Sequence, residues 1–127
     1  MRAIWKWAIA AVVLVLIGFG ALVFSVELYH RTGPSAQEQR DRASVLQPLV
    51  QSHATREQAS KALGLEFEDF SRGSTNRWVL EQRISIPRVH KLAERYPGVL
   101  FHTTAWTMTW LFFDSEGRLQ EYYLCEQ

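Results

Sequence analysis

The sequence has one cysteine, Cys125, and a lone thiol excludes both an internal disulfide and a cysteine-based zinc site. In an oxidising compartment it could pair only between chains. Otherwise it reads as a small buried hydrophobe in the last strand. Histidine is also sparse: His30, His53, His90 and His102 have no partner three or four positions away, so the spacing of a helical metal-ligand pair is missing. No nucleophile elbow appears. There is no internal repeat and no low-complexity tract. Charge of one sign is lacking too. Fourteen Lys and Arg stand against thirteen Asp and Glu, and once Arg2 and Lys6 are set aside the balance is −1. A nucleic-acid partner is therefore not expected, because it needs a concentrated basic face. Ten of the remaining twelve cations are arginine, suited to surface ion pairs or to a carboxylate-bearing partner. With no cofactor or metal motif, the chain is not expected to be an enzyme.

One feature is abundant. Residues 7–26, WAIAAVVLVLIGFGALVFSV, are all apolar or small. Twenty helical residues span about 30 Å, the thickness of a bilayer's hydrocarbon core. A secretory signal has a shorter apolar region and a small-x-small exit. This run is longer and leaves through Val23-Phe24-Ser25, so a retained anchor is expected, with a cleaved signal as the alternative. No lipidation-type cysteine follows it. Arg2 and Lys6 flank the first end, whereas Glu27-Leu28-Tyr29-His30-Arg31 follows the second. The positive-inside rule then keeps residues 1–6 cytoplasmic and puts the C-terminal region outside, with Trp5, Trp7 and Tyr29 as interfacial aromatics. Ala11, Gly18, Ala21 and Ser25, with Leu14, share one side of the span. Small residues let helices approach closely, so this side is a candidate contact for self-association or for a partner helix.

Beyond the span, Gly33-Pro34 breaks the helix. Residues 27–44 read as a partly helical linker or stalk, in which Ser35 caps a polar helix reaching Pro48. An amphipathic pattern begins at Ala43, Val45, Leu46, Leu49 and Val50, and residues 45–127 are assigned to an α+β domain. Within it, Thr55 with Gln58 forms a capping box, Glu57 suits the first turn, and Gly64 suits the left-handed C-cap. Ala59, Ala62 and Leu63 make that helix's apolar face. Residues 65–71 alternate as a strand, with Glu66, Glu68 and Asp69 as its wet acidic cluster, and residues 78–84 are read as a second strand. Pro87 opens a helix whose inner side is Val89, Leu92, Ala93 and Tyr96. Residues 99–125 read as sheet, with a tight hairpin at Asp114-Ser115-Glu116-Gly117.

These segments resemble the small BamE/SmpA-type envelope lipoproteins. The resemblance rests on Thr55, Ala59, Leu63 and Gly64, then on Phe113, Asp114, Gly117 and Leu119, and covers residues 45–124. It implies a helix pair packed on one face of a three- or four-stranded antiparallel sheet. The layout is also similar to β-lactamase-inhibitor-protein domains, which bind enzymes through an open sheet face. The chain differs from the lipoproteins in having a span instead of a lipid, in an inserted helix over 86–96, and in the small Ala59.

An open face would expose aromatic rings, and exposed Trp and Tyr on a sheet read as a binding patch. Trp78, Trp106, Trp110, Tyr122 and Tyr123 are the candidates. Trp106, Met108 and Trp110 are placed on one side of a strand, and Tyr122 and Tyr123 on opposite sides of another. The resulting expectation is a single-pass inner-membrane protein with its C-terminal domain outside the cytoplasm. It contacts the bilayer through residues 7–26 and has a non-catalytic, protein-binding or scaffolding role in the envelope. The alternative is a tethered inhibitor or immunity protein.

Overall fold

The computed structural model describes residues 2–126, and the side chains of all of these except 2 and 30–32. The chain divides into two compact units, Met1–Ala36 and Gln37–Gln127. In the first, helix α1 (Arg2–Thr32) encloses the whole apolar run. It ends where the Gly33 N–H closes on the Tyr29 carbonyl at 2.6 Å, and α2 (Pro34–Gln51) begins at once with proline in its first turn. The linker expected over 27–44 is thus helical on both sides of a one-residue bend.

α2 runs past Pro48 instead of stopping there. Proline inside a helix removes a hydrogen bond and costs about 3 kcal/mol. Burial on both sides of it offsets this cost: Leu46 is fully buried, and Leu49 and Val50 pack against the same cluster. Helix α3 (Arg56–Leu63) has the boundaries that its sequence specifies. The Thr55 hydroxyl accepts from the Gln58 N–H, the Gln58 side chain accepts from the Thr55 N–H at 3.0 Å, and Gly64 is left-handed at φ 64°. Its inner side is Ala59 and Leu63, while Ala62 is exposed.

The strand expected over 65–71 shortens to β1 (Glu68–Asp69). Its alternation holds, but further along the Ser71 hydroxyl, not a main-chain carbonyl, accepts the Val99 N–H at 3.1 Å. The strand expected over 78–84 is instead helix α4 (Arg77–Arg83). Helical winding brings Val79, Leu80 and Ile84 onto one cluster and aligns Arg77 with Glu81 at 3.1 Å, one turn apart. Strand pairing would have put Trp78 and Gln82 on the side of Leu80. Helix α5 (Pro87–Arg95) buries Val89, Leu92 and Ala93, as its spacing indicates.

Strands β2 (Gly98–Thr103), β3 (Thr107–Phe113) and β4 (Leu119–Glu126) complete an antiparallel sheet of order β1-β2-β3-β4. The hairpin at 114–117 forms as read, with Gly117 at φ 75°. At Gly98 the Arg56 guanidinium and the Phe113 side chain leave no room for a Cβ, which would sit 2.9 Å from each.

The sheet is covered on both faces. Val99, Trp110 and Phe112, with Phe101 and Tyr123, pack under Leu80, Val89, Leu92 and Ala93 of α4 and α5. Leu100, Leu111, Phe113 and Leu119, with Tyr122 and Leu124, pack under Leu46 of α2 and Ala59 of α3. The helix pair expected on one face is α2 with α3. The face expected to lie open is closed by α4 and α5. The α+β class therefore holds, as three layers instead of two. β3 carries the consequence: Trp110, Leu111, Phe112 and Phe113 are all fully buried, as a strand flanked by helices on both sides must be.

Candidate functional site

Residues 3–29 of α1 are exposed at every position. Among the described residues α1 supplies the one helix long and apolar enough to cross a membrane, by length and composition. Water solvates such a surface poorly, and a bilayer accepts it. On the small-residue side, Ala11, Gly18, Ala21 and Ser25 are all exposed, and open space surrounds the position of a Cβ at Gly18. The Ser25 hydroxyl donates to the Ala21 carbonyl at 2.8 Å, so its polar group is satisfied within the helix.

The five aromatic candidates do not form one patch. Trp110 is fully buried, 4.2 Å from the Phe101 ring and 5.8 Å from Phe70. The premise that singled it out, an open sheet face, fails because α4 and α5 cover that face. Trp106 is exposed, but it sits in the turn between β2 and β3 and not on a strand. Trp78 is 56% exposed on α4, with the Arg83 guanidinium 5.0 Å from its ring. Tyr122 and Tyr123 are half-buried on opposite faces of β4, each edging one core cluster. β4, like β1, is an edge strand; it pairs with β3 continuously from Thr107↔Glu126 to Phe112↔Glu121, and on its outer side the Leu119 N–H donates to the Ala54 carbonyl at 2.8 Å.

Two polar networks were not anticipated. In the first, Arg42, only 10% exposed, pairs with Glu38 at 2.8 Å and donates to the Thr109 hydroxyl. Glu38 in turn accepts from the Thr104 hydroxyl at 2.8 Å, and the same hydroxyl oxygen accepts the Thr107 N–H at 3.1 Å. The network fastens α2 to the β2–β3 turn. The stretch read as a solvated stalk is in part a buried contact, and the Glu-x-x-x-Arg spacing was its only signal. In the second network, Arg56 reaches Asp69 at 3.3 Å and the Ser71 hydroxyl at 2.9 Å, and lies over the Phe113 ring. Asp69 is thus paired while its side chain remains 47% exposed, and Glu66 and Glu68 stay exposed as well. Burial alone raises the Asp69 pKa, but hydrogen bonds from Ser71 and the Arg56 charge outweigh it and hold the carboxyl below its ordinary value.

His53, His90, His102, Asp114 and Cys125 read as structural. The His53, His90 and His102 rings each contact a main-chain carbonyl, of Leu119, Ile84 and Glu66 respectively. The His30 side chain lies outside the described residues. Asp114 accepts the N–H groups of Arg118 and Glu116, which lowers its pKa, the Arg118 bond foremost. Cys125 is half-buried opposite Met108, and burial raises its pKa. Among the described residues no group of three or more His, Cys, Asp or Glu could hold a metal ion.

No family model, curated protein or solved structure matches the chain. Nothing in these comparisons identifies a BamE/SmpA-type domain; the capped helix and the hairpin are present as local structures.

Proposed function

We propose that the chain is a single-pass envelope membrane protein with residues 1–6 in the cytoplasm. In this reading its C-terminal unit lies outside and binds a protein partner without catalysis. The observation that carries the reading is the outer edge of β4 past Leu119, whose N–H already donates to the Ala54 carbonyl at 2.8 Å. Over residues 120–125, QEYYLC, this outermost strand has neither lysine nor proline. Natural edges are usually blunted by such residues, because unpaired N–H and C=O groups recruit another strand. A partner segment that adds to β4 gains main-chain hydrogen bonds and meets Tyr122 on one face and Tyr123 on the other. The sheet's edge thereby takes the place of the open sheet face as the binding surface. The exposed apolar α1 supports the membrane assignment, and the flanking Arg2 and Lys6 support the orientation.

Photo-crosslinking in native membranes tests this. A crosslinker at Gln120 or Tyr122 should capture one protein in a stoichiometric envelope complex, and the same group at Lys61 on α3 should not. Capture of a single enzyme whose activity is lost on binding would favour a tethered inhibitor. Equal labelling from β4 and from Lys61 would refute the edge as the binding surface. A reporter fused to the C-terminus should be active only outside the cytoplasm.

A further inference from the structure

The formal charge of the compact unit is nearly balanced in sum but not in space. Residues 72–96, which form α4, α5 and their flanks, hold six Arg and Lys against two Glu, a net charge of +4. Residues 37–71 and 97–126 hold five against ten, a net charge of −5. Since α4 and α5 make one outer layer of the sheet and α2 and α3 the other, one broad side of the unit is basic. On α5, Arg88, Lys91 and Arg95 are exposed at helical spacing, outside the buried side of Val89, Leu92 and Ala93. On α4 the exposed Trp78 carries Arg83 against its ring. Acids offset part of this: Glu81 pairs with Arg77, which lies inward, Glu94 is exposed beside Arg95 on α5, and Glu121 of β4 reaches Arg88 at 3.5 Å.

We infer that the α4–α5 layer docks on an anionic phospholipid surface, with Trp78 entering the interface and Arg83, Arg88, Lys91 and Arg95 facing the headgroups. This rests on the proposed membrane anchoring. Exposed tryptophan beside arginine is the chemistry of a membrane–water interface, and clustered cations are attracted to anionic lipid, by about fivefold in binding constant for each one near the surface. Tethering by α1 makes the second contact intramolecular, so modest intrinsic affinity suffices. An acidic protein would satisfy the cations but gives no role to the exposed indole.

The full-length chain is reconstituted in nanodiscs of pure phosphatidylcholine and of phosphatidylcholine with about 30% phosphatidylglycerol, and amide hydrogen exchange is followed in both, at low salt and at about 0.5 M NaCl, where surface charges are screened. Exchange over residues 77–95 should slow at least about threefold in the anionic discs only, and the slowing should vanish in high salt. The combined R83E and K91E variant should abolish it, while α3 exchange stays unchanged and shows that the fold is intact. Slowing of equal size in both disc types, or none in either, would overturn the docking and leave the basic layer to an acidic protein. Failure of the chain to enter discs at all would instead overturn the anchor.

Discussion

Closure of the sheet's second face by α4 and α5 is most sharply tested by Leu92→Ala. Leu92 is 2% exposed and packs with Val89, Val99, Trp110 and Phe112. Removing its outer methyl groups forfeits their transfer free energy and leaves a cavity that rigid neighbours fill only in part, at a cost of about 2–5 kcal/mol. A domain of this size has about 5–15 kcal/mol in all, and each kcal/mol moves its melting temperature by about 4–8 °C. A loss near 3 kcal/mol therefore predicts a fall of more than about 12 °C. The assay is thermal unfolding of the full-length chain in mild detergent, read by tryptophan emission, because Trp110 sits inside the affected cluster. Leu46→Ala, fully buried on the opposite face, is the matched control. The two should melt as single transitions displaced by similar amounts, since neighbouring β3 residues serve both clusters. If Leu46→Ala displaced the transition by many degrees and Leu92→Ala by less than about 2 °C, the second face would be open and the three-layer description wrong.

Thr55→Ala removes the hydroxyl half of the α3 capping box and should destabilise the unit by about 1 kcal/mol, seen as a lower denaturant midpoint with unchanged slope. Arg42→Ala leaves the Glu38 carboxylate without its cation and removes a hydrogen bond to Thr109, and should cost about 3 kcal/mol. The double replacement E38L with R42M should cost less than Arg42→Ala alone, which a denaturation series on the three proteins resolves. Asp69 has its carboxyl pKa lowered by folding. Its contribution is therefore complete above the unfolded value of about 3.9 and disappears as the pH falls through the lower folded value. Asp69→Asn should accordingly be less stable than the parent near neutrality, and the gap should close in strong acid.

Local signals carried most of what was legible in the sequence. The capped helix α3, the proline-led α5 and the Asp114–Gly117 hairpin were readable because each boundary is set by side chains within four residues of it. α1 was readable because an unbroken apolar run of that length has few alternatives. α4 was not, because its seven residues fit a strand's alternation imperfectly and a helix's no better until Leu80 finds the α5 cluster. The turn at 104–106 was hidden for a related reason. It contains no Gly, Pro or Asn and is shaped by the Thr104 hydroxyl, which binds the N–H of Thr107 and the distant Glu38. Burial of both faces did have a signal. Trp110-Leu111-Phe112-Phe113 allows no polar face, and an open-faced sheet would have placed polar residues at every second position. Taking these rings as a surface patch missed it. Trp78 and Trp106 are exposed because neither lies on a strand: one is on α4 and the other in the β2–β3 turn.

The central claim is that α1 resides in a bilayer and holds the compact unit to it. Alkaline carbonate extraction of membranes containing the untagged full-length chain, followed by mass measurement, addresses it directly. The chain should stay in the membrane pellet with residues 1–30 intact and leave it only with detergent. Recovery of the intact chain in the aqueous supernatant would contradict the account.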